Sequence, residues 1–279
     1  MILGLGAGYV LSALASKLPP QTFLGIVRRP EAVYPLKEAG QEGVVCFLPS
    51  YLDFNGIQLK ELYKDQPIII DSTPPPKFMP TQIAEEVINT VIDKEAVTVI
   101  YLSSTSVFGF EDGREVFDDT PPSPISGAGR GRLMVEDLYR RYFKNFTALR
   151  ISGIYGPGRG MGLALKEGSY QLRSDFDRYT NRVHRDDIVQ LTLKLTTSPL
   201  KGHNAINVSD DKPMLSSEVL ALYKEKFDFT ASPSDLPPSD RMKEHKQIRN
   251  TRMKEILGAP LLYPSLYEGI GQEFIDTKL

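Results

Sequence analysis

The 279-residue chain has one cysteine, three histidines and almost no net charge, with Lys+Arg 33 against Asp+Glu 35 giving −2 at pH 7. A single cysteine cannot close an internal disulfide, so the sequence does not encode a disulfide-stapled scaffold. His184, His203 and His245 lie far apart, and far from the cysteine, which argues against a His/Cys metal site. The balanced charge leaves no broad basic face for nucleic acid or an anionic membrane. No stretch approaches the ~18 apolar residues that a membrane span needs. Met1–Ala15 is apolar and ends in Ala-Leu-Ala as a secretory leader does, but it has no basic start, and Gly4, Gly6 and Gly8 interrupt it. These absences predict a soluble, intracellular (cytoplasmic) protein with no metal and no nucleic-acid or membrane partner.

What is present is enough to build a large core. Hydrophobic residues make up 41% of the chain. At ~100–200 residues per domain, the length fits one large α/β unit or two lobes built together. Short apolar runs at Ile2–Leu5, Thr22–Val27, Val44–Leu48, Pro67–Ile70 and Val97–Leu102 read as strands covered on both faces. Helix patterns alternate with them at Tyr9–Leu18, Pro30–Ala39, Ile57–Tyr63 and Pro80–Asp93. A long helix from about Arg130 to Lys144 precedes a sixth strand near Phe146–Ser152. Strict alternation predicts a parallel, doubly wound, Rossmann-like sheet. Beyond the glycine-rich loop Gly156–Gly160 the pattern is more polar. Asp186 reads as the N-cap of a helix burying Ile188, Leu191 and Leu195; Ala205–Val208 reads as a strand, and Ser216 opens a further helix. Pro233–Ser239 reads as a surface loop.

The first chemical signal is Gly6-Ala7-Gly8-Tyr9-Val10-Leu11, directly after the first strand and opening the first helix. Glycines there permit a tight bend and let backbone N–H groups approach a pyrophosphate. Leu11 stands where the third glycine of G-x-G-x-x-G serves helix–strand packing, which predicts a slightly displaced helix. The second strand ends in Arg28-Arg29, with no carboxylate to take the ribose hydroxyls of NAD. Arginines here accommodate a 2′-phosphate and favour NADP over NAD. Ser72 and Thr73, at the end of the fourth strand, fall where such sheets wall their ligand. Arg159, in its glycine-rich loop, is a candidate for a substrate phosphate, and the basic run Arg241–Asn250 reads as a solvated face.

Further on come Ser103-Ser104-Thr105-Ser106-Val107-Phe108-Gly109, Asp118-Asp119-Thr120-Pro121, Ile154-Tyr155-Gly156-Pro157-Gly158-Arg159, Val183-His184-Arg185-Asp186-Asp187, Asn207-Val208-Ser209-Asp210 and Tyr263-Pro264-Ser265. In this order the motifs resemble the extended and atypical short-chain dehydrogenase/reductases, the NAD(P)-dependent epimerase/dehydratase group, over nearly the whole chain. The resemblance implies a Rossmann domain at 1–160 and a smaller, interleaved substrate lobe at 161–279, with about 186–198 returning to the first domain. It implies a nucleotide sugar or related phosphorylated metabolite as substrate, and a homodimer paired through the helix at 130–144. It also implies that the H-x-D-D segment around His184 is chiefly structural, its Asp capping the next helix.

The family's catalytic Ser matches Ser104. Its Tyr-x-x-x-Lys pair falls on Ala128 and Arg132, so the phenol is missing. The resemblance leaves Arg132 able to hold ribose or phosphate, but a guanidinium cannot serve as a tunable lysine. Tyr101 lies inside a strand and Tyr139 is seven residues beyond Arg132, so neither occupies the slot. The replacement segment Ser126–Arg132, with Arg130 and Arg132 among glycines, suits an anion or else marks a loop released from catalytic constraint. Two readings stay open: an enzyme using Ser104 with another proton donor, and a catalytically inactive dinucleotide-binding sensor or structural partner.

Overall fold

The computed structural model describes residues 2–45, 68–91, 93–172, 177–229, 232–233 and 240–275. Seven strands form one parallel sheet: β1 (Ile2–Leu5), β2 (Phe23–Val27), β3 (Glu42–Val45), β4 (Ile68–Asp71), β5 (Thr98–Ser104), β6 (Asn145–Ile151) and β7 (His203–Val208). Their spatial order is β3-β2-β1-β4-β5-β6-β7. The order reverses between β1 and β4, and a ligand crevice opens at the carboxyl ends of the strands beside such a switch. The fold is Rossmann-like and doubly wound, with a smaller C-terminal lobe.

Alternate residues of the strands face opposite layers. On one face Phe23, Val27, Ile70, Ile100, Leu102, Leu149 and Ile206 pack against α1 (Tyr9–Ala15), α2 (Tyr34–Glu38) and α5 (Arg185–Thr197). On the other, Leu3, Ile26, Ile69, Val99, Tyr101 and Ala148 pack against α3 (Gln82–Thr90) and α4 (Gly127–Tyr142). Both α5 and β7 belong to this body, and the core includes Met253 and Leu261 from near the end of the chain. A separate cluster of Tyr155, Leu165, Met214, Val219, Leu222, Tyr223 and Leu266 forms the centre of the smaller lobe.

Several elements depart from expectation for identifiable reasons. The strand expected at Val44–Leu48 is seen as Glu42–Val45, its remainder lying outside the described residues, as do the helix expected at Ile57–Tyr63 and most of the loop 233–239. Helix α4 starts at Gly127, three residues before the expected Arg130, because Ser126 caps it by accepting the Gly129 N–H at 3.1 Å. Segment 127–132 is therefore helix and not a loop. The cap of α5 is His184 and not Asp186: the extended backbone of His184 lets its Nδ1 accept the Asp186 N–H at 3.2 Å, while Asp186 sits in the first turn beside Arg185. The basic run 241–250 is not a solvated face. Gln247–Ile248 pairs with Glu115–Val116, and Glu244, Lys246, Ile248 and Asn250 are buried. No helix of the described residues is long and apolar enough to cross a membrane.

Candidate functional site

Two adjoining cavities open along the carboxyl edge of the sheet. The first, of about 570 Å³, is lined by Gly6–Val10, Arg28, Arg29, Ser72, Ser104, Ala128, Arg132, Ser152 and Arg159, among others. The second, of about 390 Å³, lies between the sheet and the smaller lobe. Ser104, Ser152 and Arg159 line both. Volumes of this size suit small-molecule ligands.

The first β–α corner is open. Gly6 has φ +68°, and a Cβ there would lie 3.1 Å from Thr73 Cγ2, so glycine is needed both for conformation and for space. A Cβ on Gly8 would meet only the Gly6 carbonyl, at 3.8 Å, leaving room above the loop. Leu11 is fully buried in the core and does not line the cavity. Among the described residues no side chain caps α1, so its leading N–H groups keep their capacity for an outside acceptor. These features fit a dinucleotide diphosphate. Arg28 and Arg29 line the β2 side of the cavity, where Arg29 makes an exposed 3.5 Å pair with Glu31.

Not every expected residue reaches the cleft. Thr73 is buried, giving its N–H at 2.8 Å and its hydroxyl at 2.6 Å to Asp71 Oδ1, while Tyr139 donates to Asp71 Oδ2 at 2.8 Å. Burial pushes the Asp71 carboxyl up, and these hydrogen bonds oppose the shift. Arg130 turns away to donate to the Ile125 carbonyl at 2.7 Å, so Arg130 and Arg132 do not form one anion clamp. Arg132 lines the cavity, but its Nη1 donates to the Leu102 carbonyl at 2.8 Å and to the Tyr101 hydroxyl at 3.0 Å. Tyr101 is fully buried, which pushes its phenol far up. Tyr101 and Tyr139 are thus sheet–helix packing groups.

The strand ending in Ser103-Ser104 splits two duties. Ser103 faces α4 and donates to Glu136 Oε1 at 2.5 Å; Arg150 binds Glu136 Oε2 at 2.9 Å, all three being buried. Ser104 faces the cleft and accepts the Ser106 N–H at 3.2 Å, leaving its own proton for a ligand oxygen. Ser152 is buried, and its Oγ has no hydrogen-bond partner among the described residues. Ala128, exposed where a phenol would be expected, has no group to move a proton. The site can bind and orient through hydroxyls and arginines, with no ordinary acid–base group at that slot.

Tyr9 lines the first cavity. The Arg159 and Arg185 guanidinium carbons lie 5.3 Å and 5.2 Å from its ring centroid, within cation–π range. Burial pushes its phenol up to about 12, against the pull of both arginines. Its Oη and His184 Nε2 are buried without a partner among the described residues, each 3.0 Å from where a Cβ on Gly156 would stand.

Sequence reasoning missed much of the second cavity, including Tyr170, Arg178, Tyr179, Arg182, Glu244 and Lys246. Lys246 Nζ donates to the Phe108 carbonyl and to Glu244 Oε2, both at 2.5 Å. The alternation of buried residues at 244, 246 and 248 was the available signal, masked by the charge of the run. Among the described residues no group of three or more His, Cys, Asp or Glu could hold a metal ion.

No family model matches the chain. It is 29% identical to Protein YeeZ of Escherichia coli (strain K12) over 123 residues, which are 44% of this chain and 43% of that relative. The chain thus aligns with under half the length of the curated relatives it matches. A functionally unknown conserved protein from Silicibacter pomeroyi DSS superposes with a TM-score of 0.80 at 28% identity, over 99% of both chains. UDP-glucuronic acid 4-epimerase from Bacillus cereus, solved with UDP-glucuronic acid and NAD, superposes with a TM-score of 0.75 at 18% identity, over 98% of this chain and 97% of that one. The chain has the fold of the NAD-dependent epimerases.

Proposed function

We propose that the chain binds NADP(H), in preference to NAD(H), and acts as an epimerase/dehydratase-like protein on a nucleotide sugar or related phosphorylated metabolite. The first cavity carries this reading: an open glycine corner at the sheet's switch point, with two arginines where a 2′-phosphate would lie. When bound, the dinucleotide would supply a hydride donor or acceptor. The chain's own residues would bind the diphosphate on Gly6–Val10 and hold the adenosine phosphate at Arg28 and Arg29. Ser104 and Ser152 would present hydroxyls where the cavities meet. In this reading residues 1–160, joined by about 186–198, strand β7 and the segment around Met253 and Leu261, are the dinucleotide unit, and the rest of 161–279 the substrate lobe. The sugar-nucleotide epimerase that shares the fold supports the substrate class by analogy.

A second reading, a catalytically silent dinucleotide sensor, is favoured by Ala128 and by the tethering of Arg132 to strand carbonyls. Titration calorimetry with all four nicotinamide dinucleotides tests the binding, and Arg28→Ala with Arg29→Ala tests the preference. Loss of charged hydrogen bonds predicts about tenfold or more weaker NADP binding and little change for NAD. Tighter NAD binding by the unmodified chain removes the preference, and no heat with any of the four removes the proposal. Turnover of bound cofactor on addition of a nucleotide sugar would exclude the sensor.

A further inference from the structure

Arg182 lines the second cavity from the smaller lobe, half-buried. Its guanidinium has five N–H donors, yet the structure gives it two weakly compensating partners. Nη1 donates to Thr180 Oγ1 at 2.5 Å, and Nη2 lies 3.8 Å from the Met161 sulfur. No carboxylate of the described residues is within ion-pair distance of it. Asp210 acts on it only across a gap: the Asp210 N–H donates to the Arg182 backbone carbonyl at 2.6 Å, while its side chain turns to the Lys212 N–H at 3.3 Å. Burial pushes the Arg182 guanidinium down and the Asp210 carboxyl well up, as expected for two charges that desolvate without pairing. A desolvated cation without a counter-charge is costly, and an anionic ligand would offset that cost.

The rest of the wall agrees in sign. Arg159, Arg178, Arg182 and Lys246 face Glu244 as the single carboxylate lining the cavity among the described residues, and Oε2 of that carboxylate is held by Lys246. We infer that Arg182 is a specificity-determining residue that receives a carboxylate or phosphate carried by the substrate, so that the second cavity selects an acidic sugar over a neutral one. The inference rests on the reading of this cavity as the substrate's. A planar guanidinium with its fork of N–H groups suits either oxyanion bidentately.

The test is ligand-detected NMR titration of the 279-residue chain, alone and with NADP, using glucose, glucuronate and glucose 6-phosphate. The unmodified chain should bind at least one acidic sugar about tenfold to hundredfold more tightly than glucose. Glucuronate and glucose 6-phosphate separate the carboxylate from the phosphate source. Arg182→Gln should abolish the preference, and Arg182→Lys should restore part of it. Equal affinity for acidic and neutral sugars, no binding of either acidic sugar, or a preference that survives in Arg182→Gln overturns the inference. The unmodified chain decides it even where a variant folds poorly. The NADP signal in the same sample reports separately on the dinucleotide reading, which can fail or stand whatever the sugars show.

Discussion

Lowering the pH should destabilise the chain through His184, and His184→Asn should remove that sensitivity. The imidazole is fully buried, stacked on Tyr263 with centroids 3.7 Å apart and set edge-on to Tyr155 at 5.1 Å. Because Nδ1 accepts the Asp186 N–H, the neutral ring carries its proton on Nε2. Burial lowers its pKa from 6.5 to about 4; Arg185 pushes the same way and Asp186 opposes. The folded chain therefore stays neutral at this site while the unfolded chain takes up a proton below about pH 6.5. The site's contribution is complete above that pH, shrinks by about 1.4 kcal/mol per pH unit below it, and levels off near pH 4 with about 3 kcal/mol lost. Between pH 7 and pH 5 the loss is about 2 kcal/mol. Asp71, Asp118 and Asp187, whose carboxyls burial pushes up, act with the opposite sign, so the comparison must be between variants. Asparagine retains an oxygen to cap α5 and does not titrate. Urea unfolding of both chains at pH 7 and pH 5 yields the difference. Equal pH dependence in the two chains would refute a buried, neutral His184.

Glu136→Gln leaves the buried Arg150 without its counter-charge and should cost about 3–5 kcal/mol in urea unfolding, far more than removal of the exposed Lys144–Glu95 pair. Gly129→Ala places a Cβ 2.1 Å from the Ser106 carbonyl and should cost about 1–3 kcal/mol, seen as a lower Tm. Ala128 is exposed to the cleft, so Ala128→Tyr with Arg132→Lys should fold and raise any trace turnover of bound cofactor; absence of a gain would show that the missing pair is not what limits activity.

The alternation of apolar runs and helical stripes makes the sheet, its layers and the glycine corner legible in the sequence, because burial on both faces leaves few alternatives for such runs. Leu11 departs from the glycine pattern at that corner, yet its side chain packs in the core, since only the backbone of the loop has to face the cavity. Capping of α5 was assigned to the wrong residue because Asp outranks His as a cap in general, whereas here the extended backbone at 184 sets the imidazole nitrogen in reach. The run 241–250 misled through its charge. Its burial depends on pairing with Glu115–Val116, more than a hundred residues away, which no local pattern records. Arg182 carries no local signal either: an arginine two residues before His184 reads as ordinary until its lack of an ion-pair partner among the described residues is seen in space.

The Ser103–Glu136–Arg150 clamp has a consequence for how this architecture tolerates chemical loss. The long helix is moored beyond its first turn, by Arg132 on the Leu102 carbonyl, by Glu136 and by Tyr139 on Asp71. Its leading turn is therefore an exchangeable tip on a fixed shaft. Two small residues there, Gly129 against Ser106 and Gly131 against Pro75 and Pro80, must keep the spacing, while Ala128 and Arg130 are exposed. A chain built this way can exchange the residue at 128 with little effect on its stability.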